Sequence, residues 1–253
     1  MILCDEMILE IKDLSVEIAG NEVIKNLNLT IRNGEKHVLM GPNGSGKTTL
    51  AKAIFGHPST KITSGDILVD GKSIKALTPD KRAAAGLFLG FQNPVEIDGV
   101  GFVSFLRAAK DALSPSESNT RELMQIIKSS TEKLKVGDSL IGRSLNQGFS
   151  GGEKKKAEVL QMAVLKPKIA ILDEPDSGLD VDAVNVVSSN INDLAKENAM
   201  GLLIITHYSR VLSYIDVDYV HVISNGRIVF EGGKEVIKQI EEEGYEKLLE
   251  GGV

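Results

Sequence analysis

Apolar and polar positions alternate between residues 8 and 31: Leu9 and Ile11, then Val16 and Ile18, then Leu27, Leu29 and Ile31. A period of two turns one side of an extended chain towards a core, so the stretch predicts two or three half-buried antiparallel strands. The texture then changes. HVLM (37–40), LFLGF (87–91), KIAILDE (168–174) and LLIIT (202–206) carry continuous apolar runs of strand length. Strands without a polar face are buried on both sides, as in a parallel sheet covered by helices. GDILVDGKSI (65–74) and YVHVISNGRIVF (219–230) predict hairpins that turn at Asp70-Gly71 and Asn225-Gly226, pairs that accept the positive φ of tight turns.

Helical spacing fills the intervals. The glycine-rich stretch after residue 40 leads into a helix that runs to about Phe55, and further on Thr78 and Pro79 fit an N-cap and a first helical position. Between Asn93 and Lys166, Phe102, Phe105, Leu106 and Ala109 share one face, as do Leu123, Ile126, Ile127 and Leu134, and Ala157, Leu160 and Val164. Pro167 ends the last of these helices. Residues 182–197 predict a helix with Val184, Val187, Ile191 and Leu194 inward, and short helices with an acidic surface follow from Lys234. Alternating strands and helices predict an α/β chain: a mostly parallel sheet, an antiparallel β layer before it and an inserted helical subdomain. The expected organisation is one domain over 1–253, with 1–92 and 167–253 forming the core and 93–166 the helical subdomain.

Composition narrows the chemistry. With 42% hydrophobic and 25% charged residues, the chain is ordinary for a globular protein. A net charge of −6 and 4% aromatics without Trp disfavour nucleic-acid binding. Cys4 is the single cysteine, so neither a disulfide framework nor a thiolate metal cage is expected. No apolar run approaches the roughly 18 residues of a membrane span. The opening MILCDEMILE lacks the basic start and long apolar stretch of a signal peptide. The expected location is cytoplasmic, with membrane contact only through a partner.

Residues Gly41, Pro42, Asn43, Gly44, Ser45, Gly46, Lys47 and Thr48 fit G-x-x-x-x-G-K-[ST], and Thr49 follows. The motif stands between a buried strand and a helix, where backbone N–H groups and the helix N-terminus converge on phosphate. Lys47 is expected to reach the β and γ phosphates, and Thr48 to offer its hydroxyl to Mg²⁺. The run Ile169–Leu172 delivers Asp173 to a strand end, placed to meet the metal through its water shell. Glu174 points the other way along an extended chain and is the candidate to polarise an attacking water. Ser150, Gly151 and Gly152 make a second turn into a helix, by itself a weak anion-site signal.

Taken together these segments resemble the ATP-binding cassette (ABC) ATPases, P-loop NTPases with a RecA-like core, over nearly the whole chain. FSGGE (149–153) looks like the family signature, with Phe149 and Glu153 where Leu and Gln are commoner. SGLD (177–180) resembles the family's D-loop, which includes Asp180. His207 resembles the switch histidine that senses the γ-phosphate, and Gln92 the glutamine that reaches Mg²⁺ and the attacking water. The resemblance implies ATP and Mg²⁺ as ligands, ATP hydrolysis as the activity, and a transient head-to-tail homodimer in which the signature of one subunit closes over the ATP of the other. His37, His57 and His221 match no motif and are expected to be structural.

Within that family the likeness is strongest to the SufC ATPases of Suf iron–sulfur cluster assembly. FQNPVEIDGV (91–100), FSGGEKKKAEVLQM (149–162), LDEPDSGLDVDAV (172–184) and ITHYSRVLSYIDVDYVHVISNGRIV carry it. Pro175 and Asp98 depart from that pattern. The resemblance implies SufB/SufD-type scaffold proteins as partners; the alternatives are the ATP-binding subunit of a membrane transporter and a nucleotide-gated clamp with little turnover. Pro94 biases Asn93 towards an extended conformation, so Val95, Ile97 and Val100 can present an apolar edge rimmed by Glu96 and Asp98 to a partner helix, or else cap the core of the helical subdomain. Family members usually stack an aromatic on adenine, yet residues 7–40 contain none. The base is expected to rest on an aliphatic such as Val16 or Ile18, with weak discrimination between bases.

Overall fold

A computed structural model describes residues 7–113 and 119–250; Cys4 lies outside them. The alternating stretch forms two long strands, β1 (Ile8–Ile18) and β2 (Asn21–Arg32). The shifts that made it resemble more strands are bulges in β1 at Ile11–Leu14 and around Val16. Asp13 sits there at φ 48°, and Gly65 lies opposite because a Cβ on it would stand 2.3 Å from Asp13 O. With β4 (Lys61–Val69) and the short β5 (Lys72–Ser73), these strands make an antiparallel sheet in the order β2-β1-β4-β5.

The apolar runs form the second sheet: β3 (Lys36–Met40), β6 (Leu87–Gly90), β7 (Ile169–Asp173), β8 (Gly201–Ile205), β9 (Tyr219–Ser224) and β10 (Arg227–Gly232). Its order is β10-β9-β3-β8-β7-β6, parallel except for the β9–β10 hairpin. Strands β3, β7 and β8 are buried at every position. Successive side chains of a strand point to opposite faces, so these strands divide the core in two. Val38, Met40, Ala170, Leu172, Leu202 and Ile204 pack on the helical side. Leu39, Ile169, Ile171, Leu203 and Ile205 pack towards the antiparallel sheet.

Helix α1 (Lys47–Ile54) lies among β1, β2, β4 and β7. Helix α2 (Pro79–Ala84) starts as expected, with Thr78 at the N-cap and Pro79 at its first position. Helices α3 (Phe102–Leu113), α4 (Thr120–Lys133), α5 (Asp138–Ile141) and α6 (Gly151–Leu165) form the inserted layer. The expected faces pack inward: Phe102, Leu106, Leu123, Ile127, Leu134, Ala157, Leu160 and Val164 are buried in one cluster. Helix α7 (Val181–Glu197) buries Val184, Val187 and Ile191 against it. Helix α8 (Glu235–Glu250) is broken at Gly244, whose φ of 76° divides the tail into two short pieces. Among the described residues no helix is long and apolar enough to cross a membrane.

Strand boundaries differ from the sequence reading at β4, which starts four residues earlier at Lys61, at β8, which is shifted by one residue, and at the end of β6. Strand β6 ends at Gly90, and Phe91 is 46% exposed rather than buried. The loop that starts at Phe91 leaves the sheet, so its side chain faces solvent.

Candidate functional site

The segment from Met40 to Lys47 bends sharply between β3 and α1. A Cβ on Gly41 would stand 2.2 Å from Ile223 O, and one on Gly46, at φ 111°, 2.7 Å from Ile24 Cδ1. Only glycine fits either position. The β9–β10 turn braces the loop, with Gly226 N donating to Ser45 O at 3.0 Å. Lys47 Nζ lies inside the bend, donating to Gly41 O at 2.7 Å and to Pro42 O at 3.0 Å. Burial holds the Lys47 pKa below the ordinary lysine range, against the pull of Glu174 and Asp173. Its ammonium is thus held by loop carbonyls in the bend that opens α1, and a helix N-terminus is a setting for anionic oxygen.

A cleft of about 460 Å³ opens here, lined by Val23, Asn43, Gly44, Gly46, Lys47, Thr48, Thr49, Gln92, Glu174 and His207. Asp173 lies beneath it, 3% exposed. Burial raises its pKa, and a hydrogen bond with Thr48 opposes the rise. Its Oδ1 is buried without a hydrogen-bond partner among the described residues. A buried carboxylate oxygen left unpaired beside a hydroxyl is an oxygen donor set for a hard divalent cation, so the residues fit Mg²⁺.

Glu174 follows at φ 48°, a left-handed turn whose N–H donates to Ile205 O at 2.8 Å. The turn carries its carboxylate to Gln92, whose Nε2 donates to Glu174 Oε2 at 2.7 Å. His207 Nδ1 stands 3.2 Å from Glu174 Oε1, aligned too poorly for a hydrogen bond. Behind them Thr206 Oγ1 donates to Asp176 Oδ1 at 3.2 Å and accepts from Tyr208 N at 3.0 Å. This link between the 173–180 turn and the β8 end had no motif to announce it.

Three sequence-derived candidates, Gln92, Glu174 and His207, therefore meet at the phosphate loop. Ser150, Gly151, Gly152 and Asp180 do not line this cleft. Ser150 caps α6 in a capping box: its Oγ accepts from Glu153 N at 3.2 Å, and Glu153 Oε2 accepts from Ser150 N at 2.9 Å. Glu153 also pairs with Arg143 at 2.7 Å, which gives a physical use to a glutamate at this position. Gly151 packs close to Gly178 O, and Asp180 caps α7 by accepting from Ala183 N at 2.7 Å.

The adenine expectation needs correction. Val16 is fully buried opposite Ile24, so it cannot receive a base, and Ile18 is absent from the cleft lining. The aliphatic at the cleft is Val23, across the β1–β2 turn. Of the two expectations for the edge after Gln92, capping of the helical core is the one the structure corrects: Val95, Ile97 and Val100 are 71%, 41% and 37% exposed. His57 bonds Ser59 Oγ at 2.7 Å, and His37 and His221 pair with each other at 2.9 Å, away from the cleft.

Comparison with known proteins agrees with this fold. The sequence model of the family described as ABC transporter matches residues 24–177. A probable ATP-dependent transporter of Synechocystis is 48% identical over 249 residues, covering 97% of both chains. Vegetative protein 296 of Bacillus subtilis is 51% identical over 241 residues, covering 94% of this chain and 92% of that protein. A solved structure of the ATP binding subunit of an ABC transporter superposes with a TM-score of 0.80 at 25% identity, over 95% of this chain and 99% of its own. Fold, cleft and sequence converge: the chain belongs to the ABC transporter family, as one of its ATP-binding subunits.

Proposed function

We propose that this chain is a SufC-like ATPase, which converts ATP and water to ADP and phosphate as a head-to-tail homodimer and drives conformational change in a cytosolic iron–sulfur cluster scaffold of the SufB/SufD type. The observation that carries the catalytic part is the meeting of Glu174 with Gln92 and His207 over Lys47. Lys47 exchanges its loop carbonyls for phosphate oxygens, a charge-assisted contact. The N–H groups of the 41–49 segment surround the same phosphates. Mg²⁺, held by Thr48, Gln92 and Asp173, supplies charge neutralisation when bound. Glu174 holds the attacking water by its carboxylate and draws on its proton. Gln92 fixes that carboxylate, and His207 faces the γ-phosphate beside it.

Ser150, Gly151, Gly152 and Asp180 serve the opposite subunit. Their place outside their own chain's cleft supports this division, because donors built on a separate helix start need a second copy to supply the phosphate. On this reading the iron–sulfur cluster is held by the scaffold, and the chain supplies the nucleotide chemistry.

For the scaffold partner, the support is the row of exposed apolar residues Phe91, Val95, Ile97 and Val100 directly after the β6 end. Glu96, paired with Lys154 at 2.8 Å, borders it. Such an edge suits a helix of a partner, and Gln92 within it reports the state of the nucleotide. The names of relatives as probable ATP-dependent transporters favour the second reading, a transporter subunit. Anaerobic affinity purification of the tagged protein from its own cells, followed by mass spectrometry, separates the two. Co-eluting soluble scaffold proteins are expected; a polytopic membrane protein in their place would establish the transporter reading.

A further inference from the structure

Phe91 immediately precedes Gln92, and one buried ion pair holds its backbone from both sides. Phe91 N donates to Glu158 Oε1 at 2.7 Å, and Lys155 Nζ donates to Phe91 O at 2.5 Å. The two side chains also meet each other at 3.3 Å and are only 4% and 9% exposed. They stand three residues apart on α6, hence on one helix face. Burying two charges costs more than burying an apolar pair unless their hydrogen-bonding capacity is used. Here it is used on a single peptide unit on each side of Phe91. The Phe91 ring, half exposed, does not anchor the loop.

The surrounding register shows what this grip controls. Gly90 pairs with Leu172, so Phe91 and Asp173 leave neighbouring strands at the same level. Beyond Gln92, the chain is fastened to the segment that leads into α6. Asn146 Nδ2 donates to Val95 O at 2.8 Å, Ile97 N donates to Leu145 O at 3.0 Å, and Lys154 pairs with Glu96. Gln92 is thus held before and after by α6 and its lead-in, while its own side chain reaches Glu174 on the other layer.

We infer that Lys155 and Glu158 are positioning residues of the nucleotide site: their ion pair clamps the backbone of Phe91, fixes Gln92 against Glu174, and makes Gln92 move with the helix that Ser150 opens. This inference rests on the roles given above to Gln92 and Glu174. Its consequence is a rigid link of about one and a half to two turns of helix between the signature of a subunit and the catalytic cluster of that same subunit. Whatever shifts Ser150 then shifts Gln92. Lys155 and Glu158 both act electrostatically on Asp173, so Glu158 is tested first for another reason: Glu158→Gln removes its charge and keeps an acceptor for Phe91 N.

The test is a double-mutant cycle on the full chain in its assembled complex, reading kcat and KM for ATP and the affinity for a fluorescent ATP analogue. Glu158→Ala should lower kcat by about tenfold to a hundredfold, as misplacement of a catalytic neighbour does. KM and analogue affinity should stay within about twofold, because the phosphate loop is untouched. Glu158→Gln, which keeps an acceptor for Phe91 N, should recover most of that loss. The Gln92→Ala/Glu158→Ala double variant should be no slower than Gln92→Ala alone. A double variant slowed by the product of the two single effects, or a Glu158→Ala protein with unchanged kcat, overturns the clamp while Gln92 keeps its role. A Gln92→Ala protein with unchanged kcat overturns the reading of Gln92 and the clamp with it. If Glu158→Ala does not fold, Lys155→Met takes its place in the cycle with the same expected non-additivity.

Discussion

At Glu174 the backbone turns left-handed, and that residue parts two adjacent carboxylates. Asp173 remains buried against Thr48, whereas Glu174 swings out to Gln92 and His207. Their substitutions should differ accordingly. Glu174→Gln should keep ATP affinity and lose turnover by about a hundredfold or more, the usual worth of a positioned general base; a rate assay and a binding titration on one preparation check both. Asp173→Asn should raise the melting temperature by a few degrees at neutral pH. Burial raises the Asp173 pKa above 3.8, so stability is lost as pH climbs through that raised value, and Asn does not ionise. The same variant should lose the extra thermal stabilisation that Mg²⁺ adds to ATP, which differential scanning fluorimetry reads directly. These residues were legible in the sequence because phosphate chemistry fixes residue types at fixed spacing. Val23 was not: the bulges at Asp13 and Val16 shift the register, and an aliphatic on an edge turn carries no signature.

Among elements, period and length announced nearly every strand and helix, since an apolar run buried on both faces and a 3.6-residue stripe are physically distinct patterns. Pairing order was not announced, because any of the buried runs satisfies its neighbours' hydrogen bonds equally well. Polar residues inside such runs were also hidden. His37 in β3 and His221 in β9 lie 2.9 Å apart, continued by Glu35 at 3.1 Å and Glu231 at 2.7 Å, with Asp218 and Tyr219 alongside. Burial lowers both histidine pKa values from 6.5. The unfolded chain then binds more protons than the folded one just below that value, so stability falls as pH drops through 6.5. Urea midpoints between pH 7.5 and 5.5 should therefore decline, and His221→Asn should flatten the slope; equal slopes in the two proteins would remove the histidines as its cause.

For the molecule as a whole, the aliphatic in the cleft lining is Val23, and the base is expected to rest against it. Turnover of ATP and GTP should agree in kcat/KM within about tenfold, since apolar contact discriminates weakly. A hundredfold preference for ATP would show that an unrecognised group reads the base. The completed site also depends on distant parts of the chain. Strand β3 lies between β8 and β9, with Leu39 facing Ile205 on one side and His221 on the other, and the phosphate loop leans on Gly226 and Ile223. A ribosome releases the whole G-x-x-x-x-G-K-T stretch long before any of these supports. The emerging chain carries its nucleotide motif without the walls that shape it, and stays blind to ATP until residues past 226 have cleared the exit tunnel. Cellular ATP therefore has no means of guiding the early folding of this protein; it can only reward the finished product.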